Sequence, residues 1–157
     1  MAPVEQKIID HGYEAIKKEI LAYKETHVDI GLWGEGDSPK NNIAARAAVH
    51  EFGSQKAKIP KRPFMRQTHD KNRAEIDKKI EDGYSLIVAG KGTANKILKK
   101  IGSWYEGAMK KEIVDGDFTP LDARTIARKG SDTPLIDTGD MRRAITNKLF
   151  RKRAEVK

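Results

Sequence analysis

Two runs of apolar residues at helical spacing, separated by a Gly-Lys-Gly break at residues 90–92, constrain the fold of this chain more than any other feature. Apolar side chains that recur every three or four residues line one side of an α-helix, and that side must be buried against another element. The first helix is predicted to begin near Phe64 or Thr68, and Thr93 is placed to cap the second, which ends near residues 115–117. The two runs consist of Ile76, Ile80, Tyr84 and Ile87, and of Ile97, Ile101, Trp104, Tyr105, Ala108 and Met109.

The residues before this helix pair predict a helix, a strand and a second, shorter helix. Residues 3–24 place apolar residues one turn apart, as an amphipathic helix does, and "HVDIGLWG" from His27 alternates like a strand with one buried face. After a Gly- and Asn-containing loop, Asn41 or Asn42 is placed to cap an Ala-rich helix. That helix should stop at Gly53 in the left-handed conformation.

The residues after the helix pair predict two short helices and a final strand. Thr119-Pro120 is typical of a helix start, and Gly130 of its end. Thr138 is placed to cap one turn over residues 139–143, and residues 144–150 favour a strand with Ile145 and Leu149 on one face. The chain is therefore predicted to have an α+β fold, in which a small antiparallel sheet is packed by two long helices plus shorter helices.

Between the Ala-rich helix and the first long helix, residues 54–64 contain Pro60 and Pro63. Each proline lacks an N–H and pushes the preceding residue towards an extended conformation. We therefore expect an extended, basic, Pro-containing arm in which Phe64 is the apolar anchor. The alternative is an ordinary intramolecular loop with Phe64 in the core of its own protomer.

Length and composition favour one domain over residues 1–157, with a basic tail at 151–157 that we expect to be mobile. The chain has no cysteine, which excludes disulfides and thiolate metal sites. The N-terminal residues lack the apolar core of a signal peptide, and no stretch reaches the roughly 20 apolar residues of a membrane span. We therefore expect a soluble, non-secreted protein made in the cytosol.

The formal net charge of +8 is concentrated in two segments. Residues 56–66 contain five basic residues and no acid, and residues 142–157 contain seven basic residues and one acid. If these segments meet in space they favour a polyanion such as DNA, whereas the alternative is a solvated basic surface with a frayed tail. The candidate DNA-facing residues are Lys56, Lys58, Lys61, Arg142, Arg143, Arg151, Lys152 and Arg153.

The sequence "TPLIDTG" at 133–139 has the Asp-Thr-Gly of an aspartic protease loop. A protease of that class needs a second carboxylate about 3 Å away and a β-rich scaffold, whereas this motif follows helical sequence and lies near the end of the chain. We therefore interpret Asp137, Thr138 and Gly139 as a structural turn that caps the next helical turn. "HEFGS" at 50–54 lacks the second histidine of a zinc protease. We expect no enzyme activity, no metal and no cofactor.

Three stretches in a fixed order resemble the tail-completion and neck proteins of tailed bacteriophages, the virion morphogenesis type. They are "AAVHEFGS" from Ala47, "IPKRPFMRQTHDKN" from Ile59 and "TPLDARTIARKGSDTPLIDTGDMRRAI" from Thr119. The resemblance implies a non-enzymatic virion structural protein in the neck at the top of the tail, made in the host bacterial cytoplasm. It also implies a ring of identical subunits, expected to be a hexamer, between the head-connector and the tail-tube or tail-terminator proteins.

The resemblance also assigns roles to individual residues. In such a ring, DNA would cross the lumen and touch the protein non-specifically, with no membrane involved. The expected subunit interface consists of Phe52, Ile59, Pro60, Arg62, Pro63, Phe64 and Arg66, and the expected structural turns contain His50, Glu51, Gly53, Asp137, Thr138 and Gly139. Two alternatives remain: a tail terminator or minor tail component, and, in a different class, a non-specific DNA-binding accessory protein.

Overall fold

The computed structural model describes residues 12–34 and 42–151. Within these ranges the chain forms six helices and two strands, which confirms the predicted α+β class. In chain order the elements are α1 (Tyr13–Glu25), β1 (Thr26–Gly31), α2 (Ile43–Phe52), α3 (Phe64–Val88), α4 (Ala94–Asp115), α5 (Ala123–Lys129), α6 (Asp140–Ala144) and β2 (Thr146–Arg151). Residues 3–11 of the predicted first helix, most of the predicted loop before Asn42, and the tail from residue 152 lie outside the described residues.

The two strands form an antiparallel sheet that is packed by α4, as the sequence predicts. Val28 of β1 is paired with Leu149 of β2. Gly102 brings α4 close to this sheet, because a Cβ atom at that position would lie 2.7 Å from Val28 Cγ2 and 3.0 Å from Asn147 Oδ1. A larger residue would therefore push the helix away from the strands.

A polar contact also joins α4 to β2. Asn147 Nδ2 donates to Glu106 Oε2 at 2.6 Å, and Lys110 Nζ donates to Glu106 Oε1 at 2.6 Å. Partial burial acts to raise the pKa of Glu106, but these hydrogen bonds and the Lys110 charge outweigh it and hold the pKa below its usual value. The carboxylate is therefore favoured in the folded state.

The long helices α3 and α4 confirm the predicted helix pair, although the buried residues differ from the predicted stripe. Ile87 and Met109 are buried as expected, whereas Ile80 and Tyr84 are exposed. Helix α3 also approaches the start of α4 closely at Gly83, where a Cβ would meet Ile97 Cγ2 at 2.5 Å. A glycine gives no apolar signal in the sequence, so the periodicity alone could not locate this contact.

Helix α4 begins on a side chain from another element. Thr93 occupies the predicted cap position but forms no side-chain cap hydrogen bond. The backbone N–H of Ala94 instead donates to Glu19 Oε2 of α1 at 2.7 Å. Helix α1 is also tied to α3, because the Tyr23 hydroxyl donates to the carbonyl of Ile80 at 3.1 Å. Helices α1, α3 and α4 therefore each pack against the other two.

Three of the predicted caps can be compared directly with the structure. Asn42 caps α2 as predicted, its side chain accepting from the N–H of Ala45 at 3.0 Å. Gly53 has the positive φ of 76° that was expected, but its ψ of 173° is extended, so the left-handed prediction is wrong there. The prediction that Thr119-Pro120 opens α5 is also wrong, because Asp122 is the cap and accepts from Thr125 N at 2.7 Å.

The main core lies where α2, α3, α4 and α6 meet. The buried cluster consists of Ala47, Phe64, Met109, Ile113, Phe118, Met141 and Ile145. Because this cluster includes Ala47 of α2, Phe64 of α3 and Ile145 just before β2, it holds α2 and the start of α3 against the segment that precedes β2.

Candidate functional site

Glu51, from the His-Glu-Phe-Gly stretch, caps the N-terminus of α3. Its Oε2 accepts from Met65 N at 2.9 Å and its Oε1 accepts from Arg66 N at 3.1 Å. The first N–H groups of a helix lack intrahelical partners, and a carboxylate is favourable there because of the helix dipole. Pro63 occupies the N-cap position and forms no side-chain cap hydrogen bond, so Glu51 supplies these acceptors. This contact joins the "HEFG" stretch to the helix that begins at the end of "IPKRPF".

His50 and Glu51 belong to the last turn of α2, and the chain reverses only after Gly53. The amide groups of Ser54 and Ile59 each donate to the other's carbonyl at 2.9 Å, which closes a tight loop. The prediction of an extended arm is therefore wrong for residues 54–59, and Pro63 lies in a turn in which Phe64 N donates to Arg62 O at 2.8 Å. Three exposed basic residues lie on this loop and immediately after it: Lys56, Lys58 and Lys61.

Two residues predicted at a subunit interface are buried inside the protomer, so that prediction is wrong for them. Arg62 is 4% exposed, with Nε donating to Thr119 O at 2.9 Å and Nη2 donating to Pro120 O at 3.3 Å. Phe64 is 0% exposed and lies in the core cluster. The sequence shows that Phe64 must be buried, but it does not show which chain buries it.

The other predicted interface residues remain at or near the surface. Phe52 is 63% exposed, Pro60 and Arg66 are exposed, and Ile59 and Pro63 are partly buried. Phe52, Ile59, Pro60 and Lys61 line a shallow cavity of about 540 Å³. We refer to these four residues as the Phe52 surface.

Several of the predicted DNA-facing residues have partners within the protomer. Arg143 bonds to the Asp140 carboxylate, Arg142 Nε donates to Lys110 O at 3.4 Å, and Arg151 Nη2 lies 3.8 Å from Glu25 Oε2. These arginines are nevertheless exposed, and surface ion pairs of this kind contribute little stability. Lys152 and Arg153 lie outside the described residues.

The Asp137-Thr138-Gly139 stretch forms the turn that opens α6. Gly139 adopts the left-handed conformation, with φ 78° and ψ 4°, and α6 begins at Asp140. The N–H of Asp140 donates to Thr138 Oγ1 at 3.4 Å, and the Thr138 hydroxyl donates back to the Asp140 carboxylate. Hydrogen bonds from Thr138 and then Arg143 lower the pKa of Asp140. Asp137 itself is exposed. Burial lowers the pKa of Lys129, and the negative charge of Asp137 opposes that effect.

A cavity of about 270 Å³, which we call the motif pocket, joins the first and third of the stretches singled out in the sequence. Arg46 and His50 line it from α2, and residues 135–141 form its opposite wall. Residues of α5 and the turn before it close the remaining side: Leu121, Thr125, Arg128 and Lys129. Nothing in the spacing of Arg46, Arg128 and Lys129 in the sequence indicates that they line one pocket.

Among the described residues that line the motif pocket, His50 alone carries an imidazole. Within the described ranges its Nδ1 atom is buried and has no hydrogen-bond partner. Burial lowers the pKa of His50, and the positive charges of Arg62, Arg46 and Lys129 lower it further. The imidazole is therefore neutral at physiological pH, and its surroundings are electropositive.

Comparison of the chain with family models, curated proteins and solved structures finds no match. Among the described residues, no group of three or more His, Cys, Asp or Glu side chains could hold a metal ion. No helix in that part of the chain is both long and apolar enough to cross a membrane. The candidate functions therefore rest on the motifs, the Phe52 surface, the basic residues and the motif pocket.

Proposed function

We propose that this chain is a structural protein of a tailed-phage virion that completes the tail and joins it to the head, as a ring in the neck. The observation that carries the proposal is the ordered occurrence of the three stretches that begin at Ala47, Ile59 and Thr119. The structure supports treating them as one unit. Glu51 of the first stretch caps the helix that continues the second, and Arg62 of the second bonds to the carbonyls that open the third.

A ring of identical subunits requires two different surfaces on each subunit, because a head-to-tail contact joins unlike patches. The Phe52 surface is one candidate. A second group of exposed apolar side chains lies on α1 and the C-terminal half of α3, and comprises Leu21, Ile80, Tyr84, Leu86 and Val88. Exposed apolar groups of this kind are typical of interaction sites.

The sheet offers a further assembly contact. Within the described ranges it has only two strands, so each strand has one edge without a strand partner. Such edges pair readily with another chain, and a two-stranded sheet gains stability from a third strand. In the proposed ring, a neighbouring subunit supplies the strand that pairs with one of these edges. On this proposal the partners are further copies, as a hexamer, and the head-connector and tail-tube or tail-terminator proteins.

The exposed lysines 56, 58 and 61 and the exposed arginines of α6 fit a channel through which DNA passes. Repeating a modest positive charge around a ring raises the potential in its lumen and attracts a polyanion without reading its sequence. The proposed site of action is therefore the virion neck, after synthesis in the host bacterial cytoplasm.

Deletion of the gene from a phage that carries it tests this function. We expect the lysate to contain full heads and separate tails, and negative-stain images of the purified protein to show rings. Normal infectious particles from the deletion phage would refute the proposal. Tails of varying length in the deletion lysate would instead favour a tail terminator or minor tail component.

Replacing Phe52 with Asp tests the predicted ring contact. We expect Phe52→Asp to leave a folded monomer, because this exposed side chain contributes little to the protomer's own core. Ring mass should be lost in size-exclusion chromatography with light scattering. Val114→Asp is the matched control, since Val114 is an exposed apolar residue outside both surfaces. Equal ring formation by Phe52→Asp and Val114→Asp would contradict the assignment of the Phe52 surface.

The DNA-binding accessory function stays an alternative because the exposed lysines 56, 58 and 61 carry no opposite charge in the same segment. A gel-shift titration at two salt concentrations separates the two functions. Tight, salt-sensitive binding by the isolated monomer would favour the accessory role, because phosphate contacts weaken steeply as salt rises. Little binding before ring formation would favour the neck role.

A further inference from the structure

We infer that the motif pocket is a binding site for a phosphate-class oxyanion. This inference is independent of the proposed function, because it rests only on the residues that line the pocket. Three basic side chains, Arg46, Arg128 and Lys129, converge there from two helices that are distant in sequence. Arginine presents a planar fork of donors that matches phosphate oxygens, and lysine adds a point charge.

The charge balance at the pocket leaves two arginines available. Among the described residues, neither Arg46 nor Arg128 forms a salt bridge. The positive charge of Arg46 does, however, help to lower the pKa of Asp140. Of the two carboxylates that line the pocket, Asp140 is held by Thr138 and Arg143. The charge of Asp137 acts on Lys129. An anion between Arg46 and Arg128 would therefore find donors that no carboxylate already occupies.

His50 lines the pocket, but its Nδ1 atom faces no solvent there. Its Nδ1 is buried and lacks a partner within the described ranges, whereas buried polar atoms are nearly always hydrogen-bonded. Because solvent does not reach Nδ1, an oxyanion in the pocket does not reach it either. The donors that the pocket offers are therefore its basic side chains.

The size and lining of the pocket limit the ligand. A volume of about 270 Å³ is just below the roughly 300–1,000 Å³ of small-molecule sites, so a small oxyanion fits with room for a short attached group. Leu121, Leu135 and Ile136 provide an apolar wall for that group. Inorganic phosphate, a phosphomonoester and a phosphate of the DNA backbone share the required chemistry.

Titration with inorganic phosphate, followed by NMR of the backbone amides and the His50 imidazole, tests the inference. Ionic strength is held constant with chloride. We expect saturable shifts at His50 and residues 135–141. In Arg46→Gln and Arg128→Gln the affinity should fall by about tenfold or more, because each variant loses a charge-assisted hydrogen bond. Both side chains are exposed, so the variants should fold.

Arg73→Gln is the matched control, because Arg73 is an exposed arginine on α3 that does not line the pocket. It should bind phosphate as the unaltered protein does. Shifts that do not saturate, or that are equal in Arg46→Gln, Arg128→Gln and Arg73→Gln, would overturn the inference, because they would show general screening by ions. Loss of binding in the two pocket variants alone supports it.

A second titration identifies the source of the phosphate. A short DNA duplex is added to the phosphate-saturated protein, with and without a 5′-phosphate. If both duplexes displace inorganic phosphate, the ligand is a phosphate of the DNA backbone. If only the 5′-phosphorylated duplex displaces it, the ligand is a terminal phosphomonoester. If neither duplex displaces it, the ligand is the free anion.

Discussion

Removal of the Glu51 carboxylate should destabilise the protein far more than removal of an ordinary surface carboxylate. Glu51 is 7% exposed and accepts hydrogen bonds from the N–H groups of Met65 and Arg66. Loss of a helix cap costs about 0.5–2 kcal/mol, and a hydrogen bond to a charged group contributes about 1.5–3 kcal/mol. Because the buried Glu51 carboxylate satisfies both of these N–H groups, we expect Glu51→Ala to cost about 2–3 kcal/mol in the free energy of unfolding.

The conservative variant separates the cap from side-chain packing. Glu51→Gln keeps one carbonyl acceptor and nearly the same volume but loses the charge that favours the helix N-terminus. We expect it to cost about 1 kcal/mol. Urea denaturation followed by far-UV circular dichroism measures both costs, at one protein concentration for all variants. In thermal scans the Ala variant should melt roughly 5–10 °C lower, given about 2–4 °C per kcal/mol for a chain of this size.

Glu81→Ala is the control, because Glu81 is an exposed glutamate in the interior of α3. Its free energy of unfolding should stay within about 0.5 kcal/mol of the unaltered protein. The capping argument is refuted if Glu51→Ala is no more destabilising than Glu81→Ala. It is also refuted if Glu51→Gln costs as much as Glu51→Ala, since the loss would then follow volume rather than acceptors and charge.

Two further predictions concern packing and pH. Gly102→Ala should destabilise the protein by about 1–3 kcal/mol, because its Cβ would meet Val28. Gly107 lies in open space on the same helix, so Gly107→Ala should stabilise the protein by about 0.5–1 kcal/mol. Urea denaturation measures both changes, and the same sign for both would contradict the close approach at Gly102. The pKa of His50 is lowered on folding, so the unfolded state binds more protons and stability should fall as pH falls below the ordinary value of 6.5. His50→Gln should flatten this dependence between about pH 7 and pH 5 in denaturation curves, and an unchanged slope would show that His50 is not its source.

The elements of this fold that depend on local sequence were predictable. Helical periodicity and the Gly-Lys-Gly break located α3 and α4, alternation located β1, and residue preference located β2. The predicted start of β2 is wrong, because Ala144 ends α6 and Ile145 lies before the strand and is buried, whereas Leu149 is exposed. Gly130 ends α5 in the left-handed conformation, as expected of a helix-terminating glycine. These features follow from contacts between residues a few positions apart, which a sequence displays directly.

The contacts that depend on distant residues were not predictable in the same way. Thr93 is a good cap by residue type, yet Glu19, 75 positions away, bonds to the first N–H of α4. Phe64 is apolar in either interpretation, and only the tertiary structure shows that its own protomer buries it. The motif pocket was missed for the same reason, since Arg46 and Arg128 become neighbours only through the packing of α2 and α5 against the loop at 135–141.

The source of the caps on α3 and α4 has a consequence for the order of folding. Each long helix begins on a carboxylate that belongs to another helix, Glu51 for α3 and Glu19 for α4. Helix nucleation is unfavourable, and closing a long loop costs entropy before any contact is gained. We therefore expect the first turn of α4 to become protected late, after α1 has docked, whereas the first turn of α3 needs only the adjacent α2. Amide exchange at Ala94 thus reports the detachment of α1 even though the two segments are remote in sequence.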